Sequence, residues 1–167
     1  MQLILYYAPN ACSLVPYVTL TEAGAPFEVH PLNFRKSQHM TPEYLRLNPK
    51  HKVPVLVIGE EPLTENVAIQ IWIARHFPEA KLLPADPMQE LHAISLLAWC
   101  ASGIHPFLSR INSPPRVCDL PGAYAFPPSG YGGIERWLWA VAVGAVAYAG
   151  FCLPVDLATL DTSRSSP

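Results

Sequence analysis

No basic stripe or basic tail runs through this chain. Lysine and arginine total 11 against 13 acidic residues, they are scattered, and the net charge is −2. A nucleic-acid partner would need a basic patch to neutralise phosphates, so that class is excluded. The four cysteines, Cys12, Cys100, Cys118 and Cys152, stand at spacings that fit no metal site. No metal is expected. The opening MQLILYYAPN lacks a charged n-region and meets a proline too early for a secretory signal. The expectation is reduced thiols in a cytoplasmic compartment. Cys12 also lacks the partner three positions on that a dithiol redox motif requires, because Val15 stands there. Cys12 would then work with an external thiol, or only bind one.

Half of the 167 residues are hydrophobic, enough for a sizeable core, and the length suits one domain or two small ones. QLILYY is a short apolar run that predicts a buried strand. Residues 13–23 read as a helix with Leu14, Val15 and Val18 on one side and Gly24 as its stop. Pro16 fits only in the first turn, where its missing N–H costs nothing, so the helix starts near Cys12 or Ser13. PFEVHPLNF alternates as a second strand, and TPEYLRL is a short helix with Thr41 as cap and Pro42 at its first position. VPVLVIG and EPLT read as two more strands joined by a tight turn. TENVAIQIWIARHF is an amphipathic helix, expected to be capped by Thr64 and to bury Val67, Ile71 and Ala74.

The first two strands, linked through a helix, should be parallel, and the last two antiparallel. The result is an α/β unit with a mixed four-stranded sheet and helices on both sides. Residues 77–87 hold three prolines and read as a connection. The expected division is a first domain at 1–80, a linker at 81–87 and a helical remainder at 88–167. A helix at 88–104 would carry a stripe of Leu91, Ile94, Ala98 and Ala101, with His105 next on it.

Three features could carry chemistry. Cys12 at a helix mouth meets free N–H groups and the positive end of the macrodipole, which favour thiolate. Ser13 could donate to a sulfur anion there. A small residue filling a turn is the plain alternative, at even odds. Pro54 in VPVL is either an ordinary strand start or a cis peptide that turns the Val53 N–H and C=O outward to pair with an extended ligand. Glu65 and Asn66 at a helix N-terminus are either ordinary first-turn residues, the commoner case, or a site for the ammonium and carboxylate of an amino-acid group.

Taken together, YYAPNACSL, LNPKHKVPVL and LTENVAIQIWIARHFPEAKLLP resemble a bacterial glutathione transferase of the beta class. ASGIHPFLSRINSPPRVCDLPGA extends the resemblance to about residue 123. The resemblance implies a thioredoxin-like first domain followed by an all-α domain, glutathione as co-substrate, a small electrophilic substrate and a homodimer, with no membrane. It implies that Pro54 is a cis proline and that Val53 pairs with the cysteinyl backbone of glutathione. Glu65 and Asn66 would hold the γ-glutamyl group, and Lys36 stands where a basic residue would meet the glycyl carboxylate. Cys12 would contact or disulfide-bond the glutathione sulfur, with Ser13 beside it, and His105 would face that sulfur. A histidine bonded to a backbone carbonyl on an apolar stripe is an equally good reading of His105. The implied activity is conjugation of glutathione to electrophiles, with thiol–disulfide exchange at Cys12. A non-catalytic thioredoxin-fold module that binds glutathione, or an inactive truncated relative, is the alternative.

The remainder departs from the family pattern. From Ala123 on, only five residues are charged and lysine disappears. PPSGYGG breaks any helix, and WLWAVAVGAVAYAGFCL then runs seventeen residues without a charge. The all-α domain is therefore expected to be incomplete. One hypothesis is a shifted reading frame or a truncation; no family-like continuation in either other frame of the coding DNA would count against it. A single buried helix is the second hypothesis. A membrane anchor comes last, since such a span sits at the lower length limit and contains Gly144 and Gly150.

Overall fold

The computed structural model describes residues 1–9 and 11–112. The expectations for Cys118, Cys152 and the run after Ala123 lie outside the described residues. The elements follow in order as β1 (Leu3–Tyr7), α1 (Leu14–Glu22), β2 (Glu28–Pro31), α2 (Pro42–Leu47), β3 (Val55–Ile58), β4 (Glu61–Thr64), α3 (Asn66–His76), α4 (Pro87–Trp99) and α5 (His105–Asn112). Two 3-10 turns, Phe34–Lys36 and Gln38–Met40, lie between β2 and α2. A π-helical turn, Cys100–Ile104, joins α4 to α5.

The sheet order is β2-β1-β3-β4. β1 runs parallel to β2, with Leu5 opposite Val29, and antiparallel to β3, with Leu5 opposite Leu56. β3 and β4 are antiparallel, with Leu56 opposite Leu63. The apolar runs of β1 and β3 follow from this position: both strands are covered on both faces, so both sets of alternate residues are apolar. Leu3, Leu5 and Leu56 pack with Leu20 of α1 and Ile69 and Ile73 of α3. Val55 and Val57 pack with Tyr44 of α2 on the opposite face, together with Ile4 and Tyr6. Leu5, Leu56, Ile69 and Ile73 are fully buried, and truncating any of them to alanine should cost about 2–5 kcal/mol.

Local signals place the elements well. Pro16 falls in the first turn of α1 and is buried. The helix closes on the Gly24 backbone: Ala25 N–H donates to Leu20 O at 3.0 Å and Gly24 N–H to Thr21 O at 3.0 Å. That closure needs a left-handed residue, and Gly24 has φ +63°. Thr41 caps α2 by accepting from Tyr44 N–H, with Pro42 at the first position.

Four expectations are corrected. β2 does not alternate, since all four of its residues are exposed at the sheet edge. Thr64 does not cap α3; it ends β4, and Glu65 stands at the cap with no side-chain cap bond. The stripe α3 buries is Ile69, Gln70, Ile73 and Ala74, while Val67 and Ile71 are half-buried. The stripe on α4 is rotated as well: Ala93 and Leu97 are buried, whereas Leu91 is 59% exposed and Ala98 and Ala101 face outward. α4 meets the core through Leu97, which leaves Leu91 and Ala98 outside; beyond them the π turn Cys100–Ile104 inserts an extra residue and shifts the phase, so a 3.6-residue count carried on to His105 fails.

By length and composition alone, the helix Pro87–Arg110 is apolar enough to cross a membrane. A core helix passes the same test.

Candidate functional site

Cys12 lies in the turn between β1 and α1. Its carbonyl accepts from Val15 N–H at 3.2 Å, which starts the helix. The turn is tied by Ser13, a fully buried residue. Its Oγ accepts from Ala8 N–H at 2.9 Å and donates to Ala8 O at 3.1 Å. This corrects the expectation for Ser13: its one hydroxyl proton is spent on the backbone of its own turn and is not offered to a sulfur. The signal for that role was the burial of a small polar residue, which sequence alone does not carry.

The Cys12 thiol donates to Val53 O at 3.2 Å. Burial pushes this thiol up to about 11, against the backbone N–H groups of Cys12 itself and Ser13 and the charge of Lys52; Glu65 adds to the rise. Burial here opposes the thiolate that the helix mouth would favour, and the thiol is bonded to Val53 O.

Val53 is presented by the loop between α2 and β3, and the Val53–Pro54 bond is cis. Buried Asn48 organises this loop. Its Nδ2 donates to Lys52 O at 2.8 Å, and its Oδ1 accepts from Lys50 N–H at 3.1 Å. Tyr44 OH also donates to Lys52 O, at 2.6 Å. Burial raises the Tyr44 phenol well above its usual range, so it stays a donor. Val53 thus sits beyond a carbonyl held by two buried side chains, two residues before the β3 ladder begins. Sequence reading missed Tyr44 and Asn48; the signal available was an asparagine inside LNPKHKVP and a tyrosine three residues before it.

At the junction of β4 and α3, Glu65 has φ +71°, a region sparsely populated by residues other than glycine. Its carboxylate is exposed and pairs with Lys50 Nζ at 2.5 Å. Lys50 Nζ also donates to Thr64 Oγ1 at 2.9 Å. Asn66, the first residue of α3, donates from Nδ2 to Cys12 O at 3.0 Å. Asn66 Oδ1 is buried and has no hydrogen-bond partner among the described residues.

Cys12, Val53 and Asn66 are therefore joined directly, and Glu65 is the neighbour of Asn66. His105, at the start of α5, lies within electrostatic reach of Lys52 and Glu65. Burial and Lys52 lower its pKa from the usual 6.5, and Glu65 opposes them. Lys36 is not brought in. It is exposed on the turn after β2, its N–H bonded to Asn33 Oδ1, and its side chain shares no hydrogen bond or ion pair with Cys12, Val53, Glu65 or Asn66. An open depression of about 360 Å³ lies elsewhere, among Tyr6, His30, Gln38, Glu43 and Tyr44, and none of the expected site residues lines it. The hydrogen-bonding geometry, not that concavity, marks the site.

The arrangement offers a backbone segment at Val53, a carboxylate at Glu65, an amide oxygen at Asn66 and a neutral thiol at Cys12. An extended ligand with an ammonium and a sulfur would match it.

Residues 1–75 match the family model "Glutathione S-transferase, N-terminal domain". The chain is similar to the glutathione S-transferase GstA of Escherichia coli O157:H7, 32% identical over 123 residues, covering 72% of this chain and 59% of that one. It is similar to the solved structure of a bacterial beta-class glutathione S-transferase from Sphingomonas chungbukensis, at 34% identity and TM-score 0.61, covering 66% of this chain and 57% of that one. A sphingomonad glutathione S-transferase complexed with glutathione matches at 29% identity and TM-score 0.62, covering 83% of this chain and 67% of that one. The chain spans 36% to 59% of the length of the first curated relatives it matches. With β1 to α3 arranged around the Cys12, Val53 and Asn66 contacts, residues 1–75 carry the N-terminal domain of the glutathione S-transferases.

Proposed function

We propose that this chain is a glutathione transferase: it binds glutathione as co-substrate, holds the glutathione thiol as thiolate and conjugates it to small electrophiles. One observation carries the reading. Three segments far apart in sequence meet through two hydrogen bonds, Cys12 Sγ to Val53 O and Asn66 Nδ2 to Cys12 O. Extended glutathione would pair its cysteinyl backbone with Val53 and give its γ-glutamyl ammonium to Glu65. Its sulfur would lie beside Cys12, with neutral His105 facing it. Asn66 Oδ1, buried and unpartnered among the described residues, would accept from an N–H of the ligand.

In the reaction, the glutathione thiol gives its proton to water and the thiolate attacks the electrophilic carbon. A C–S bond forms, and on an aryl halide the halide leaves with its electron pair. Each unit by which the site lowers the thiol pKa is worth about 1.4 kcal/mol. Residues 1–80 would be the glutathione-holding unit, and residues from 88 onward the start of the helical domain that walls the electrophile site. A homodimer in the cytoplasm goes with this reading.

A second reading is a non-catalytic glutathione-binding module. The state of the two residues nearest the proposed sulfur favours it: Cys12 is a half-buried thiol whose ionisation burial opposes, and the Ser13 hydroxyl is spent on Ala8. Retention on immobilised glutathione, followed by conjugation of a generic aryl halide, separates the two. Retention with turnover supports the transferase, retention without turnover supports the module, and no retention overturns both. Exchange at Cys12 belongs to the transferase reading; it would be measured separately with a mixed disulfide, in the wild type and in Cys12→Ala.

A further inference from the structure

Lys50 stands in the loop between α2 and β3, fifteen positions before Glu65. Its backbone is fixed, because Lys50 N–H donates to Oδ1 of buried Asn48 at 3.1 Å. Its side chain spans to the other loop of the site. There Nζ binds Thr64 Oγ1 at 2.9 Å and Glu65 Oε1 at 2.5 Å. Glu65 is the residue with φ +71°, and its carboxylate makes no cap bond to α3. A carboxylate has two oxygens and about four acceptor positions. Lys50 takes Oε1, and Oε2 has no hydrogen-bond partner among the described residues.

We propose that Lys50 is a positioning residue for ligand recognition: by holding Thr64 Oγ1 and Glu65 Oε1 together, it fixes the Glu65 carboxylate so that Oε2 receives the α-ammonium of the ligand. The proposal rests on the glutathione reading above. Lys50 touches no part of the ligand; it acts through Glu65. The pair is exposed, with side-chain accessibilities of 49% and 68%. Such pairs add little to stability, so its consequence is sought in binding. Salt weakens exposed pairs, so the effect shrinks as ionic strength rises.

The test is calorimetric titration of the full chain with glutathione and with its deamino analogue, which lacks the α-ammonium. Lys50→Met is expected to weaken glutathione binding about fivefold at low salt and to leave the analogue unchanged. Lys50→Arg is expected to stay within about twofold of wild type, since a guanidinium also bridges two oxygens. The urea midpoint of Lys50→Met should match that of wild type. Three outcomes overturn the proposal: glutathione binding by Lys50→Met that is unchanged or tighter, the latter making Lys50 a competitor for Glu65; equal weakening of both ligands; and failure of Lys50→Arg to restore binding. If wild type binds neither ligand, the glutathione reading falls and this proposal falls with it.

Discussion

The Cys12 thiol donates its proton to the carbonyl oxygen of Val53 at 3.2 Å, across 41 positions of sequence. This bond couples the turn that opens α1 to the loop that opens β3. It also places the thiol where the protein removes water from it. A cysteine at a helix mouth is usually read as an activated nucleophile. Here desolvation dominates, and the same residue becomes a hydrogen-bond donor that organises the site.

The first prediction concerns the charge state of Cys12. Its thiol is held near 11, above the ordinary 9.0. Alkylation by iodoacetamide, followed at Cys12 by peptide mass, should therefore reach half its maximal rate near pH 11 and be slow at pH 7. A midpoint below 9 would show that the helix end wins after all. The linked effect on stability has a definite sign. The folded chain keeps the Cys12 proton longer than the unfolded chain, so this contribution is complete below pH 9 and is lost as pH rises toward 11.

Ser13 should behave as a structural residue. In Ser13→Ala, the Ala8 N–H and C=O lose the partner they have within a buried turn. The expected cost is about 1–3 kcal/mol, measured by urea unfolding. The pH midpoint of Cys12 alkylation should stay where it is in wild type. A lowered or raised midpoint would mean that Ser13 acts on the sulfur, as the sequence alone suggested.

His105 should titrate below 6.5, because burial and Lys52 both disfavour its charged form. Proton NMR of the imidazole reads this directly. In Lys52→Met the midpoint should rise, since one of the two lowering causes is gone. No movement in that variant would show that Lys52 does not act on His105. Because the folded state binds this proton less readily, the His105 contribution to stability is lost as pH falls through the ordinary histidine range.

A buried polar pair links the two helices on one face of the sheet. Thr19 Oγ1 donates to Gln70 Oε1 at 2.6 Å and also lies 2.9 Å from Val15 O, while Gln70 Nε2 is buried with no partner among the described residues. Thr19→Val alone should destabilise the chain by about 1–3 kcal/mol, because it orphans the rest of the Gln70 amide. Adding Gln70→Met should recover most of that loss, since an apolar pair leaves nothing unpaired. A double variant as unstable as the single one would contradict this account.

Much of the architecture was legible from residue order. Continuous apolar runs in LILYY and VPVLVIG mark strands covered on both faces, and Gly24, Thr41 and Pro42 mark helix ends by local backbone geometry alone. Sequence also singled out Cys12, Val53, Glu65, Asn66 and His105, and of these the fold joins Cys12, Val53 and Asn66 by hydrogen bonds. Sequence reading passed over Lys50, Tyr44 and Asn48, which hold the loop before β3 and tie it to the start of α3.

What residue order fixed is periodicity, punctuation and the identity of the groups that could act. Only the tertiary structure decided what those groups do. The Ser13 hydroxyl turns back to Ala8, Cys12 is half-buried with its thiol on Val53 O, and Glu65 is held by a lysine from another loop. A π turn resets the face on which His105 emerges. The reason is physical: propensity and capping act within a few residues, whereas burial and Coulomb interaction depend on distances set by chain segments far apart in sequence.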